Sequence, residues 1–179
     1  MNRDDEYIRR VLSGESNAFR YLIELYKDMA FNIAVSIVKD DQFAEEVVQD
    51  SFLKAFNGLK SFQNKSKFKS WFYRIVVNES FQRFKKLKRD QSMLEYKTVN
   101  DQDAGGEQEK LENQTEQISR LLRLLPANES LALNLFYLEE NSLKDISDIT
   151  GWTLANVKVI LHRARKNVRS QFNKQKNNA

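Results

Sequence analysis

Ser142–Val168, SLKDISDITGWTLANVKVILHRARKNV, reads as two helices joined by a tight turn. A helix-turn-helix needs a small residue where its helices cross, a glycine in the turn, and apolar residues that pin the pair together. Ser147 is the small residue, Gly151 the turn, and Leu143, Ile146, Trp152, Val157 and Ile160 the pins. Thr153 is placed to cap the second helix. Thr150 stands where an aliphatic residue is expected.

At 100° per residue the second helix divides into two faces. Leu154, Val157, Ile160, Leu161, Ala164, Val168 and Phe172 fall on one side. Ala155, Val159, His162 and Lys166 line the other, flanked by Lys158, Arg163 and Arg169. From Arg163 to Lys176 there are six basic residues and no acid. A basic run alone can be a solvated face. On the second helix of this motif it points to duplex DNA, where Lys and Arg reach guanine edges or phosphates and an apolar Val159 can meet a thymine methyl. His162, the single histidine, has no second ligand or base beside it in the pattern, so neither a metal site nor catalysis is expected there.

Working outward, the 179 residues have room for one ordinary domain or two small ones. Charge is laid out basic, acidic, basic. Residues 1–89 carry 17 basic and 12 acidic side chains, residues 90–117 carry 2 and 8, and residues 118–179 carry 10 and 5. Two basic blocks on an acidic connector suit two surfaces for one polyanion. With no cysteine, disulfides, thiol nucleophiles and zinc fingers are excluded. Five glycines and one proline leave little punctuation for hairpins or phosphate loops, so the expected fold is all-α. No signal pattern or membrane-spanning stretch is read, so no membrane insertion is expected, and the cytoplasm is the expected location. No cofactor and no enzymatic activity are expected either.

Three helices are expected ahead of the polar loop 60–67: residues 3–13, 16–39 and 41–57, stopped at Gly14 and Gly58. In the third, Ala44, Val48, Phe52, Ala55 and Leu59 make a core side. The opposite side holds Glu46, Gln49, Asp50, Leu53 and Asn57. An acidic stripe repels DNA, and a leucine in its middle points to a protein contact. A longer helix, 68–89, is apolar on two sides, with Phe68, Trp71, Phe72, Ile75 and Val76 on one and Tyr73, Val77 and Phe84 on the other. Such a helix is expected to be sandwiched. Its polar stripe, Arg74, Asn78, Gln82 and Lys85, suits a nucleic acid. Residues 90–114 read as a flexible acidic linker, able to stretch roughly 80 Å. A leucine-rich helix follows from Thr115 to Pro126, then one from Asn128 or Ser130 through Leu138.

DDQFAEEVVQDSFLKAF (40–56) resembles the part of bacterial RNA polymerase sigma factors that docks on the polymerase clamp. FKSWFYRIVVNESFQRFKK (68–86) resembles the adjoining part that opens and reads the −10 element, and Ser142–Val168 the part that reads the −35 element. With only these two domains and a linker, the chain resembles the extracytoplasmic-function subgroup of the sigma-70 family, as does GESNAFRYLIELYKDMAFNIA (14–34). The resemblance implies two helical domains, region 2 over 1–89 and region 4 over 115–179, with the linker 90–114 between them. It implies core RNA polymerase on Glu46, Gln49, Asp50, Leu53 and Asn57. It implies −10 DNA on Gln63, Asn64, Lys65, Lys67, Arg74, Asn78, Gln82 and Lys85. For the −35 element it implies Thr153, Ala155, Asn156, Lys158, Val159, His162, Arg163, Lys166 and Arg169. An anti-sigma factor is implied as a further partner. Thr150 and Val159 depart from the pattern.

Two rival readings use less of the chain. A stand-alone helix-turn-helix regulator explains 142–172 only, and a helical adaptor without a DNA role leaves the charge layout unexplained.

Overall fold

Charge placement opens the chain. In the computed structural model, which describes residues 3–62, 66–95 and 122–177, helix α1 (Arg3–Leu12) begins with Asp4, Asp5 and Glu6 and ends with Arg9 and Arg10. Both groups suit the helix dipole. Gly14, at φ +109°, turns the chain away, and a 3-10 turn (Ser16–Ala18) leads into α2 (Phe19–Val38). Leu22, Tyr26, Ala30, Ile33, Ala34 and Ile37 of α2 are buried, at the three- and four-residue steps of one helix face. Asp4, itself buried, accepts a 2.6 Å hydrogen bond from the Tyr26 hydroxyl and so fastens α1 to α2. Burial, with this carboxylate beside it, pushes the Tyr26 phenol above its ordinary pKa.

Asp40 caps α3 (Asp41–Gly58) by accepting from the Phe43 amide at 2.9 Å, a contact of a kind worth about 1 kcal/mol. A 3-10 turn (Leu59–Ser61) follows, and then α4 (Phe68–Glu95), which lies against both α2 and α3. Phe72 stacks on Phe52 at 4.5 Å, and Phe68, Phe72 and Tyr73 surround Tyr26. α4 runs on to Glu95, past Arg89 where the sequence reading starts the linker. Nothing in Asp90–Glu95 stops a helix, since the stretch has neither Gly nor Pro. Of the leucine-rich helix expected from Thr115 to Pro126, only 122–126 is described, and 122–124 is helical. The rest of that helix, residues 96–114 and the loop residues Gln63, Asn64 and Lys65 lie outside the described residues.

The second helical domain starts α5 (Ala127–Leu133) directly after Pro126, earlier than Asn128 or Ser130. It then widens into a π-helical turn (Asn134–Leu138), where the Glu139 amide donates to the Asn134 carbonyl at 3.1 Å. Ser142 and Asp145 form a reciprocal capping box at the start of α6 (Leu143–Thr150). The Ser142 hydroxyl holds the Asp145 carboxyl below its usual range. Gly151, at φ +76°, makes the turn, and α7 (Leu154–Asn177) follows. Thr153 Oγ1 accepts from the Asn156 amide at 3.2 Å, the cap its position promised. Thr150 also gains an explanation. Its hydroxyl donates to the Ile146 carbonyl at 2.7 Å and accepts from the Trp152 amide at 3.2 Å, while Ser147 Oγ donates to the Trp152 carbonyl at 2.6 Å. An aliphatic residue at 150 could do neither. Val157, Leu161 and Ala164 are buried against Ile146 and Ile149 as the wheel predicts, but Leu154 and Phe172 are exposed.

The two domains pack on each other. Their buried apolar residues form one contiguous cluster, with α5 against α2 and α6 against α4. The sandwiching expected of α4 is thereby completed by the other half of the chain.

Candidate nucleic-acid interface

Three faces carry the residues singled out from the sequence. On α3, Ala44, Val47, Ser51, Phe52 and Ala55 are turned inward, which leaves Glu46, Gln49, Asp50, Leu53 and Asn57 exposed together. Leu53 is 61% exposed, far more than a leucine needs to be on a helix with an apolar side to bury. Phe56, 39% exposed and edge-on to Phe19 at 5.1 Å, extends this apolar spot. The five-residue pattern did not include it. The acidic part is not free-standing. Arg83 of α4 pairs with Glu46, its guanidinium lying 4.6 Å from the centre of the Phe43 ring, and Lys54 pairs with Glu79 at 2.6 Å. An open groove of about 380 Å³ runs between α3 and α4, with Glu46 and Asp50 on one wall and Gln82, Arg83, Lys85 and Arg89 on the other.

On α4, Arg74, Asn78, Gln82 and Lys85 are all exposed and follow one another along the helix, as the stripe requires. Lys67, just before α4, is exposed as well. Tyr73 and Val77 beside the stripe are buried, and Trp71, Phe81 and Phe84 are half-buried, so most rings of this block are core. Three stripe residues are partly committed within the chain. Arg74 donates through Nε to the Asp148 carbonyl of α6 at 2.9 Å and through Nη2 to the same oxygen, and Gln82 and Lys85 line the groove against the acidic side of α3.

The cap residue Thr153 and, on α7, Ala155, Asn156, Lys158, Val159, His162, Arg163, Lys166 and Arg169 are exposed without exception. Val159 is 44% exposed with no apolar neighbour required of it by the core. Arg165, in the middle of the basic run, is used internally. It donates to the Tyr137 hydroxyl at 2.8 Å and lies over the Phe136 and Tyr137 rings. That splits the basic run into an outward row and one residue that ties α7 to the π-helical turn. Among the described residues no group of His, Asp and Glu could hold a metal ion, and no helix is long and apolar enough to cross a membrane.

Comparison with known proteins matches residues 22–90 to sigma-70 region 2 and residues 115–168 to sigma-70 region 4. The chain is 28% identical over 180 residues to the ECF RNA polymerase sigma factor SigW of Bacillus subtilis, covering 92% of this chain and 94% of that one. It is 26% identical over 180 residues to the ECF RNA polymerase sigma-E factor of Haemophilus influenzae, covering 94% and 95%. Among solved structures, the sigma factor RpoE bound to the anti-sigma factor NepR, from Bartonella quintana, has a TM-score of 0.69 at 22% identity over 87% of this chain and 96% of that one. CnrH bound to the cytosolic domain of CnrY has a TM-score of 0.68 at 19% identity over 97% and 99%.

Proposed function

This chain belongs to the sigma-70 family as a sigma factor of the extracytoplasmic-function (ECF) type, and from that premise we propose how its three faces divide the work. As such a factor it is a non-catalytic subunit that takes RNA polymerase to specific promoters and starts transcription there. In our reading region 2 spans 1–89 and region 4 spans 115–179. The exposed α3 face, Glu46, Gln49, Asp50, Leu53 and Asn57, docks on core polymerase. Leu53 supplies the apolar contact, with Phe56 beside it, and the carboxylates supply charge selection.

Region 4 holds the −35 duplex by the first turns of α7, which enter the major groove. Lys158 and Arg163 reach base edges. Lys166 and Arg169, further along the helix, meet phosphates. Thr153, Ala155, Asn156, Val159 and His162 complete the surface. Region 2 captures the −10 strand along Arg74, Asn78, Gln82 and Lys85, and Gln63, Asn64, Lys65 and Lys67 also bind the −10 DNA. Melting costs about 1.4 kcal/mol per base step in stacking alone. A small helical domain carries no fuel for that, so captured bases and the polymerase supply it. We place the factor in the cytoplasm and, as in the solved complex of RpoE with NepR, under an anti-sigma partner.

The observation that carries this reading is the coexistence of an acidic, leucine-centred face and two basic faces on one chain. The test is copurification with core RNA polymerase followed by transcription from fragments of the parent genome. A complex that initiates at discrete sites is expected. A chain that binds duplex DNA but never joins the polymerase would leave only the stand-alone regulator.

A further inference from the structure

We propose that Tyr137 and Arg165 together bind one backbone phosphate of the −35 duplex, which makes the π-helical turn part of the DNA surface. This site rests on the −35 reading of α7 given above and extends it beyond that helix.

The π-helical turn is what brings the tyrosine out. Leu131, Asn134 and Leu135 are buried on one face of α5 and the turn that continues it. In an unbroken α-helix Leu138, four residues past Asn134 and three past Leu135, continues that face. With the wider turn closed by the Glu139 amide on the Asn134 carbonyl, Leu138 is instead 55% exposed and Tyr137 54% exposed. An unburied leucine forfeits stability, and a π-helical turn inside a helix is frequent at functional sites.

Arg165 reaches that tyrosine from α7. Its Nε donates to the Tyr137 hydroxyl at 2.8 Å, and its guanidinium carbon lies 5.7 Å from the centre of the Tyr137 ring and 5.6 Å from that of Phe136. Phe136 is half-buried and edge-on to Tyr137 at 4.9 Å, so the two rings make a platform for the cation. The hydrogen bond decides which donors stay open. Since the tyrosine oxygen accepts from Arg165, its own proton is left to give, and so are those on both Nη groups of the guanidinium. Among the described residues no carboxylate pairs with Arg165, and both side chains are exposed. One O–H and a planar fork of N–H groups are thus held together around one positive charge. A phosphodiester, with two anionic oxygens on one phosphorus, is the acceptor that this set matches.

Position on the helix selects the DNA backbone as the source of that phosphate. Arg165 stands seven residues past Lys158 and three past His162, on the flank of the exposed row. Lys166 follows it and Arg169 lies four residues on, both assigned above to phosphates. What the pair adds is a second element on the same backbone. A strand held from α7 alone leaves the helix free to roll about its axis, whereas one held also from the π-helical turn fixes the roll. Phosphate contacts set orientation and base contacts set sequence. Tyr137 and Arg165 are therefore positioning residues for Lys158 and Arg163.

The test uses the full chain assembled with core polymerase and a duplex selected from randomised −35 DNA. Methylphosphonate, which removes one backbone charge and leaves the bases alone, is placed at each linkage of that duplex in turn. With the unaltered protein, one linkage or two adjacent ones should cost roughly tenfold in affinity through this contact. Tyr137→Phe should weaken binding to the unmodified duplex several-fold, and the same methylphosphonate should then cost it little more. Arg165→Gln should share that indifference and lower the salt slope by about one. Thermal melting checks both variants. If Arg165→Gln loses stability, Tyr137→Phe, a conservative change at an exposed position, decides. Variants that stay as sensitive as the unaltered protein at every linkage make the pair a brace between α7 and the turn, and overturn the phosphate site. A Tyr137→Phe chain that assembles poorly with core polymerase but leaves the linkage scan unchanged also overturns it, and makes the turn a protein contact. Failure of the −35 reading looks different, because then no linkage matters to the unaltered protein and Lys158→Ala binds the duplex as well as it does.

Discussion

The two basic surfaces of this chain are built in opposite ways. The face proposed for the −35 element is carried by one helix, α7, whose Val157, Leu161 and Ala164 are buried with Ile146 and Ile149 on its inner side, while its outer side is exposed from Ala155 to Arg169. The stripe on α4 belongs to a helix packed on α2, α3 and α6, and its residues are drawn into contacts on either side. Arg74 leans toward region 4, and Gln82 and Lys85 toward the acidic side of α3. A surface that reads intact duplex needs only rigidity and exposure. One that takes up a melted strand can be withheld until the strand is there. The difference between the faces suits the two tasks proposed for them.

The comparison breaks most severely if the support of the α7 face is removed. Leu161 is 1% exposed, and Leu161→Ala should destabilise region 4 by about 2–5 kcal/mol in thermal denaturation. It should abolish duplex binding along with that loss. Asn78→Ala, on the exposed stripe, should change stability by less than about 0.5 kcal/mol, because nothing in the core depends on it. Equal stability losses would mean the two faces are supported alike.

The α7 face itself sharpens into two kinds of contact. Replacing Lys158 or Arg163 with Ala should cost about 1–3 kcal/mol and relax preference at particular base pairs. Replacing Lys166 or Arg169 should weaken binding to all sequences and lower the salt slope by about one. Selection from randomised −35 DNA at several salt concentrations separates them. An Arg169 variant that shifts the preferred sequence while an Arg163 variant does not would mean the register of α7 on DNA is different.

Next in size is Gly151→Ala. A side chain at φ +76° costs about 1–2 kcal/mol, measurable as a lowered melting temperature with the α3 face unaffected.

How far the sequence carries depends on whether a feature lives on one helix. The outward face of α3, the stripe of α4 and the turn at Gly151 were legible because each follows from periodicity within a single element. Arg83 was not, because its partner Glu46 is on another helix and no spacing within α4 announces the pairing. Phe56 was missed for a related reason. An aromatic residue on that helix reads as core until the exposure of Leu53 beside it is seen. Thr150 looked like a mismatch because only the folded turn shows its hydroxyl bonding both sides of Gly151. The second apolar side of α4 was read correctly as sandwiched, but nothing local named α6 as the other layer.

The smallest expected effect concerns the seam between the faces. Lys39 has a pKa of about 8 when covered, against the usual 10.5. The packed form therefore holds its proton less firmly, and raising pH through the window from about 8 to 10.5 should favour packing. Spin-labelled through Arg20→Cys and Asn128→Cys, both at exposed positions, the chain should show a narrower distance distribution at pH 9 than at pH 7, and Lys39→Met should remove that dependence.

The most direct measurement is permanganate reactivity of −10 thymines with the assembled polymerase, on duplex and on pre-melted templates, for Asn78→Ala and Lys158→Ala. If α4 captures melted strand and α7 reads closed duplex, Asn78→Ala should be much more defective on duplex than on pre-melted DNA. Lys158→Ala should lose the same factor on both. An Asn78→Ala defect of equal size on the two templates, or a Lys158→Ala defect confined to the duplex, would contradict that division.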